Sequence, residues 1–186
     1  MRIISGKLKG KSMFFLKNSV TRPLKDSVKE NIFNILKHSN LINTSIEGAD
    51  ILDLYSGIGS FGIECISRGA KKVTFAEQDK NALSILKKNL IKLSIINDTE
   101  IFNGKIENIF KIDRKEKYDI FFLDPPFSDN EFIYYLNSIK KSRIYKNKHI
   151  IIIHREKGSD DLLEDFMNIL ITKQYGRSKI IFGIFN

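Results

Sequence analysis

A short segment with clear chemical potential, Asp124-Pro125-Pro126-Phe127, follows an apolar run that has the composition of a buried strand. The two prolines fix φ at successive residues and remove two backbone donors, so the turn presents its carbonyl oxygens in a fixed direction. Asp124 supplies a hydrogen-bond acceptor, and Phe127 supplies a flat face on which a heterocycle can stack. The four residues predict a catalytic turn that holds a planar amine for attack. The alternative is a plain strand end closed by prolines.

A glycine-rich turn follows another apolar run, and its glycines at 57, 59 and 62 are spaced as G-x-G-x-x-G. Asp53 stands just before this turn, and Glu77 ends the next strand-like run, where an acid can bind the two hydroxyls of a ribose. A carboxylate at Asp53 would repel a pyrophosphate, but it suits a ligand that carries positive charge. The pattern therefore favours S-adenosylmethionine, which has a sulfonium, an ammonium and a ribose but no phosphate, over a dinucleotide.

The elements that must position these residues alternate between strand and helix patterns. Predicted strands cover residues 51–54, 72–77, 99–103, 118–123, 149–154, 170–175 and 178–185. Predicted helices cover residues 25–37, 61–68, 79–93, 105–111, 131–140 and 160–168, and residues 2–5 and 12–16 predict a small hairpin. The alternation predicts an α/β fold with a mainly parallel seven-stranded sheet flanked by helices, in which ligands bind at the carboxyl ends of the strands.

The order and spacing of these motifs resemble the class I S-adenosylmethionine-dependent methyltransferases. Within that class, the chain resembles the bacterial family that methylates the exocyclic amine of a guanine in small-subunit ribosomal RNA. Further segments share the resemblance: Arg2-Ile3-Ile4-Ser5-Gly6, Thr21-Arg22-Pro23 and residues 26–34. It implies a Rossmann-like fold, S-adenosylmethionine as the cofactor, and ribosomal RNA or an assembling small ribosomal subunit as the partner.

The resemblance also implies roles for individual residues. Asp124 to Phe127 are expected to hold the target amine, Glu77 to bind the ribose, and backbone groups around Gly104 to contact the adenine. The full set of expected cofactor-binding residues is Asp53, Tyr55, Ser56, Gly57, Gly59, Glu77, Gln78, Gly104, Lys105 and Ile106. The expected substrate-binding residues are Lys7, Lys11, Arg22 and Pro23, with the cofactor carboxylate as an alternative ligand of Arg22.

The charge distribution favours a polyanionic substrate. The chain of 186 residues is expected to form one domain, with residues 1–40 as a basic hairpin-and-helix extension. Its formal net charge is +9, and residues 1–48 hold nine basic and three acidic residues, whereas residues 49–170 hold nineteen of each. A bias toward lysine codons explains the number of lysines but not their concentration at the ends. Phosphate contacts by such basic ends supply sequence-independent affinity for nucleic acid.

The chain also gives expectations about membrane segments, metal ions, its single cysteine and its histidines. No apolar stretch is long enough to cross a membrane, and a secretory signal is not recognisable, so we expect a soluble, cytoplasmic protein. The family resemblance implies a monomer. The chemistry needs no metal. The single cysteine, Cys65, lies on a predicted packed helix without a basic partner, which argues against a thiolate nucleophile. His38, His149 and His154 receive no role, and a histidine at a strand end, such as His154, is expected to be structural.

Three alternatives remain open from the residues. The enzyme could methylate the amine of adenine in DNA or RNA, or a glutamine amide of a protein, or the chain could be a binding module that keeps an inactive fold. Basic ends disfavour a protein substrate. Asp124 mildly favours guanine, because related motifs with amide or adenine targets often begin with Asn. Intact Asp53, Glu77 and Asp124 argue against an inactive fold.

Overall fold

A twisted sheet organises the protein. The computed structural model describes residues 1–16, 24–111 and 116–186, and within them seven strands form one sheet in the order β3-β2-β1-β4-β5-β7-β6. The strands are β1 (Asp50–Leu54), β2 (Lys72–Glu77), β3 (Thr99–Asn103), β4 (Tyr118–Leu123), β5 (Tyr145–Glu156), β6 (Met167–Tyr175) and β7 (Ser178–Phe185). β1 to β5 pair in parallel, whereas β7 is antiparallel to both β5 and β6. The predicted mainly parallel sheet is confirmed, and β1 to β5 end together at what we call the carboxyl edge.

Helices cover both faces of this sheet, which explains why its central strands are apolar on both sides. The helices are α1 (Asp26–His38), α2 (Ser60–Ser67), α3 (Lys80–Lys92) and α4 (Phe132–Ser142). A column of rings joins α1 to the sheet, because Phe33 stacks on Phe61 of α2 at 5.3 Å and Phe61 stacks on Phe122 of β4 at 4.0 Å between centroids. Asp79 caps α3 as predicted, since its Oδ1 accepts from the amide of Ala82 at 2.7 Å.

The N-terminal segment is tied to α2 by a buried carboxylate. Glu64 is 1% exposed, and its two oxygens accept from the amides of Ile4 and Ser5, each at 2.9 Å, and from Arg68 Nε at 2.9 Å. The predicted hairpin has one antiparallel bridge, between Arg2 and Ser12, rather than two full strands. Because these bonds reach α2, the extension is part of the same packed body as the sheet.

One predicted helix is wrong. The chain does not form a helix over residues 160–168: residues 164–166 form a turn and β6 begins at Met167. Leu163 and Met167 stand four apart and are both buried, which gives the segment a helical pattern. Pairing of β6 with β7 decides its conformation, starting with Met167 opposite Phe185. No helix in the described part of the chain is long and apolar enough to cross a membrane.

Candidate active site at the carboxyl edge

The turn after β1 has an unusual backbone that opens one side of it. Tyr55, Gly57 and Gly59 all have positive φ, at 60°, 55° and 87°. A Cβ on Gly59 would lie 2.5 Å from Leu86 Cδ1, so this position must be glycine for α3 to pack against the turn. A Cβ on Gly57 would meet nothing within 4 Å. Gly59 therefore faces the protein, and Gly57 faces open space at the carboxyl edge.

Asp53 is a buried carboxylate with one oxygen to spare. It is 1% exposed, and its Oδ2 accepts from the amide of Gly62 at 3.0 Å. Its Oδ1 is buried and has no hydrogen-bond partner among the described residues. Burial raises the pKa of Asp53 well above its usual value, and the charges of Asp124 and Glu77 raise it further, against the opposing effect of the Gly62 bond. A cation beside Oδ1 would stabilise the ionised form.

Glu77, at the end of β2, holds the glycine turn from the side. Its Oε2 accepts from the amide of Gly57 at 2.7 Å, and its Oε1 accepts from the amides of Gln78 and Asp79, each at 2.8 Å. Its carbonyl oxygen accepts from the amide of Gly104 at 3.1 Å, which brings the turn after β3 to the same place. The expected ribose ligand thus also fixes the backbone around it.

The Asp-Pro-Pro-Phe turn continues directly from β4, next to β1. The amide of Asp124 lies 3.5 Å from the carbonyl oxygen of Leu54, the last residue of β1. The carbonyl oxygen of Pro126 accepts from the amide of Asp129 at 2.8 Å, whereas no hydrogen bond from the described residues reaches the carbonyl of Pro125. Phe127 is 41% exposed, as expected for a stacking face. An acceptor and a ring therefore both face outward at this turn.

Two residues at the end of β5 hold the turn, and neither was predicted. His154 Nδ1 lies 2.7 Å from Asp124 Oδ1, and Arg155 Nη1 donates to the carbonyl oxygen of Pro126 at 3.2 Å. No role was expected for His154, and the structure places its ring beside the predicted amine-binding carboxylate. A signal did exist, because Asp124 and His154 are each the first polar residue after an apolar strand. Leu123 pairs with Ile153, so the residues that follow them are neighbours.

Arg155 is a buried cation that is fully paired. Its Nε and Nη2 donate to the two oxygens of Asp161, each at 3.1 Å, and its Cζ lies 4.5 Å from the centroid of the Phe132 ring. Burial alone would raise the pKa of Asp161. Hydrogen bonds from Arg155 and Ser159, with the charge of Arg155, outweigh burial and lower the pKa below the usual value. The pair fixes the guanidinium that binds the Pro126 carbonyl.

We expect Asp161→Ala to lower the free energy of unfolding by about 3–5 kcal/mol, because Arg155 would remain buried without a counter-charge. Urea titration at pH 7 measures this, with the exposed neighbour Asp160→Ala as the control. Folding lowers the pKa of Asp161, so the stabilisation that its carboxylate provides is complete above pH 3.8, the ordinary aspartate pKa. This stabilisation is lost as the pH falls through the pKa that Asp161 has in the folded protein. Equal stability of the two variants would contradict the role given to this pair.

Four buried polar atoms converge on the carboxyl edge without a partner. Among the described residues, every buried side-chain nitrogen or oxygen that lacks a hydrogen bond lies here: Asp53 Oδ1, Tyr55 Oη, Ser56 Oγ and His154 Nε2. Buried polar groups are normally satisfied, and exceptions in a folded protein indicate a functional site. Burial and the nearby carboxylate of Asp129 raise the pKa of Tyr55, so its hydroxyl stays protonated and can donate. The edge is therefore suited to a polar ligand.

Some of the other predicted site residues lie beside Glu77, whereas Lys7 lies at the opposite edge of the sheet. Gln78 follows β2, and Gly104 and Lys105 follow β3, beside Glu77. Ile106 begins a short 3₁₀ helix that ends at Phe110, inside the predicted helix over residues 105–111. Lys7 lies at the opposite edge: its amide donates to the carbonyl of Ser67, the last residue of α2, and its Nζ is 3.7 Å from Asp98 Oδ2. Lys11 is exposed on the N-terminal segment. Arg22 and Pro23 lie outside the described residues. Lys7 and Asp124 thus do not share a pocket.

Cavity size does not identify the site. An open cleft of about 870 Å³ lies between α1 and β6, and a second of about 400 Å³ lies at the amino ends of β1, β2 and β4. Neither is lined by a predicted cofactor or amine-binding residue. Cys65 is completely buried, as expected for a core residue. The site is identified by converging polar groups and positive-φ backbone.

Comparison with known proteins agrees with this geometry. The family model described as Conserved hypothetical protein 95 matches residues 1–184. The chain is 33% identical over 185 residues to Ribosomal RNA small subunit methyltransferase D of Buchnera aphidicola subsp. Baizongia pistaciae, covering 100% of this chain and 91% of that protein. It is 33% identical over 178 residues to the protein of that name from Haemophilus influenzae, covering 95% and 89%.

Solved structures are similar to the chain over nearly its whole length. A crystal structure from Haemophilus influenzae, described as a "putative methylase", superposes with a TM-score of 0.79 at 30% identity and covers 98% of this chain and 97% of that one. The Rossmann-like class I fold that the motifs predicted is thereby confirmed.

Proposed function

The chain belongs to the family described as Conserved hypothetical protein 95, and from that premise we propose that it is an S-adenosylmethionine-dependent methyltransferase of small-subunit ribosomal RNA. Its target is the exocyclic amine of a guanine. The observation that carries the proposal is the convergence of Asp53, Glu77 and Asp124 at one edge, beside buried polar atoms without partners. The carboxylates of Asp53 and Glu77 beside the glycine turn oppose a pyrophosphate and favour a cationic ligand, whereas Asp124 accepts from the amine.

The residues at the edge fit this cofactor group by group. Asp53 Oδ1 is available to the positive end of the ligand, and the hydroxyls of Tyr55 and Ser56 are available to its polar groups. Glu77, whose oxygens already accept from three amides, has one acceptor site left on Oε2 for a ribose hydroxyl. The open side of Gly57 allows close approach, and the turn from Gly104 to Ile106 is positioned to border the adenine. When bound, the cofactor supplies an electrophilic methyl group on a sulfonium.

The Asp124 turn activates the amine. The lone pair of an aromatic amine is delocalised into the ring, which makes the nitrogen a weak nucleophile. Asp124 and the Pro125 carbonyl accept its two N–H hydrogens, so nitrogen becomes tetrahedral and its lone pair points at the methyl carbon. Phe127 stacks on the base, which has left its own stack to reach the turn. Pro126 keeps its carbonyl bonded to Arg155 and does not contact the amine.

The reaction balances without a further reactant. The bound cofactor would supply the methyl group, and its sulfur would take the C–S electron pair as the nitrogen lone pair forms the new C–N bond. The nitrogen then carries a positive charge and loses one proton. Asp124, already bonded to one of its hydrogens, is the first acceptor of that proton. The contribution of the protein is orientation of the two reactants within about 3–3.5 Å and acceptance of hydrogens, and not covalent catalysis.

The substrate class follows from the charge and from the relatives. The chain carries a formal net charge of +9, concentrated in the terminal segments, and the relatives at 33% identity are named small-subunit ribosomal RNA methyltransferases. We propose Lys7, Lys11, Arg22 and Pro23 as RNA contacts outside the amine pocket. Because Lys7 is at the opposite edge, an RNA that touches both Lys7 and Asp124 must wrap around the α2 side of the protein.

Transfer of tritiated methyl from S-adenosylmethionine tests the proposal. Unmodified small-subunit ribosomal RNA, assembled small subunits and DNA are each incubated with the enzyme, and the labelled nucleoside is identified. We expect N2-methylguanosine from one of the two ribosomal substrates and no label in DNA. Labelled N6-methyladenine, or label in ribosomal protein, would overturn the substrate assignment.

A further inference from the structure

We propose that His154 is a positioning residue that fixes the rotamer of Asp124, so that one oxygen of this carboxylate always faces the target amine. The inference rests on the proposed function and adds to it a residue on a different strand. His154 is held at the end of β5, directly beside the end of β4, by the pairing of Ile153 with Leu123. Its position is therefore set by the sheet and not by a loop.

The hydrogen bond assigns a task to each oxygen of Asp124. His154 Nδ1 lies 2.7 Å from Asp124 Oδ1, and an ionised carboxylate can only accept, so the proton is on Nδ1. Oδ1 is thus occupied by the histidine. Oδ2 remains for the N–H of the amine. A carboxylate on two rotatable bonds would otherwise present either oxygen in several orientations, and a displacement of about 1 Å can cost about 100-fold in rate.

The same ring also contacts the other end of the turn. Phe127 packs on His154 edge to face, with centroids 5.6 Å apart and planes at 73°. His154 therefore lies between the acceptor and the stacking face. Arg155, whose side chain leaves β5 on the opposite side, fixes the Pro126 carbonyl between them. The end of β5 thus fixes the spacing between the group that binds the amine and the ring that binds the base.

His149, on the same strand, shows what a structural histidine looks like in this protein. Its Nδ1 donates to the carbonyl of Lys146 at 2.8 Å, and its Nε2 accepts from the amide of Phe185 at 2.9 Å. Both nitrogens are used by backbone, and burial lowers the pKa of the ring. His154 differs, because its Nε2 has no partner among the described residues and its hydrogen bond is made to Asp124 alone. A purely structural role does not account for that arrangement.

Substitutions that keep or remove the Nδ1 donor test the proposal. In His154→Asn the amide nitrogen occupies nearly the place of Nδ1, whereas His154→Ala has no donor. We expect His154→Ala to lower kcat by about 10–100-fold, with KM for S-adenosylmethionine and for RNA within about threefold of wild type. His154→Asn should recover at least about tenfold of the lost kcat. Urea midpoints show whether either variant is destabilised.

The double variant His154→Ala/Asp124→Ala shows whether His154 acts by positioning Asp124 or has an independent effect on kcat. If His154 acts through Asp124, His154→Ala should lower kcat no further in the Asp124→Ala background. A full additional loss, a wild-type kcat in His154→Ala, or no recovery in His154→Asn would each overturn the proposal.

A proton NMR measurement distinguishes failure of the positioning proposal for His154 from failure of the proposed function. The Nδ1–H of His154 should give a far-downfield resonance that disappears in both His154→Ala and Asp124→Ala. A wild-type protein that keeps this resonance but methylates no RNA would contradict the proposed function and leave the pair intact. A wild-type protein that methylates RNA without the resonance would contradict the positioning role alone.

Discussion

Asp124→Ala is expected to lower kcat for methyl transfer by about 10²–10⁴-fold and to leave the Kd for S-adenosylmethionine within about threefold. The loss is large because Asp124 provides the charged acceptor for the amine and the first site for its proton. It is confined to the chemical step because Asp124 makes no hydrogen bond to the glycine turn that Glu77 holds. Methyl transfer to small-subunit ribosomal RNA and calorimetric titration of the cofactor measure the two quantities.

The matched control for this variant is Asp165→Ala, which removes an exposed carboxylate from the turn before β6. It changes the net charge equally and lies away from the carboxyl edge, so both kcat and Kd should stay at wild-type values. An Asp124→Ala enzyme that transfers methyl groups at the wild-type rate would show that the amine is activated elsewhere. A large loss of cofactor affinity in Asp124→Ala would assign this carboxylate to the cofactor instead.

Glu77→Ala is expected to raise the Kd for S-adenosylmethionine by about 10–150-fold. A hydrogen bond from a ribose hydroxyl to the remaining site of this charged acceptor contributes about 1.5–3 kcal/mol. The variant also leaves the amides of Gly57, Gln78 and Asp79 without their acceptor, so the glycine turn loses its lateral support. We expect a decrease of about 1–3 kcal/mol in the free energy of unfolding, measured in urea without cofactor.

A ribose analogue makes this prediction specific. Wild-type protein should bind the 2′-deoxy analogue of S-adenosylhomocysteine more weakly than S-adenosylhomocysteine itself, and Glu77→Ala should bind the two equally. Glu100→Ala serves as the control, because Glu100 stands on the neighbouring strand and pairs with Lys72 at 3.1 Å. Its cofactor Kd should be unchanged. Undiminished discrimination between the two ligands in Glu77→Ala would mean that another group binds the ribose.

The location of the candidate site could be predicted because its motifs are local. Each motif consists of an apolar strand and a few residues at or just after its end. The three motifs are Asp53 with the glycine turn, Glu77, and Asp124 with its prolines. Strands buried on both faces give continuous apolar runs with clear ends, and the predicted bounds of β2, β3, β4 and β7 agree with the structure. The need for glycine in the turn could also be predicted, because the positive φ of Gly57 and Gly59 belongs to the turn itself.

Interactions between distant segments could not be predicted in this way. The 160–168 segment has helical spacing, but residues 164–166 form a turn, and pairing with β7 makes Met167 and Asn168 the start of a strand. The basic N-terminal segment predicted contacts with nucleic acid but not where these contacts lie, and Glu64 and Ser67 of α2 hold Lys7 at the opposite edge of the sheet. Charge counts along a chain carry no information about which face a segment covers.

The contacts of His154 and Arg155 show what the sequence determines and what depends on the tertiary structure. The sequence alone determined that a strand ending in Asp124-Pro125-Pro126-Phe127 would present an acceptor and a ring, because proline geometry and strand burial act within a few residues. Only the tertiary structure decided that β5 lies beside β4, with Ile153 opposite Leu123, so that His154 binds Asp124 and Arg155 binds Pro126. Strand order and register depend on the packing of the whole sheet, and they determine which side chains become neighbours.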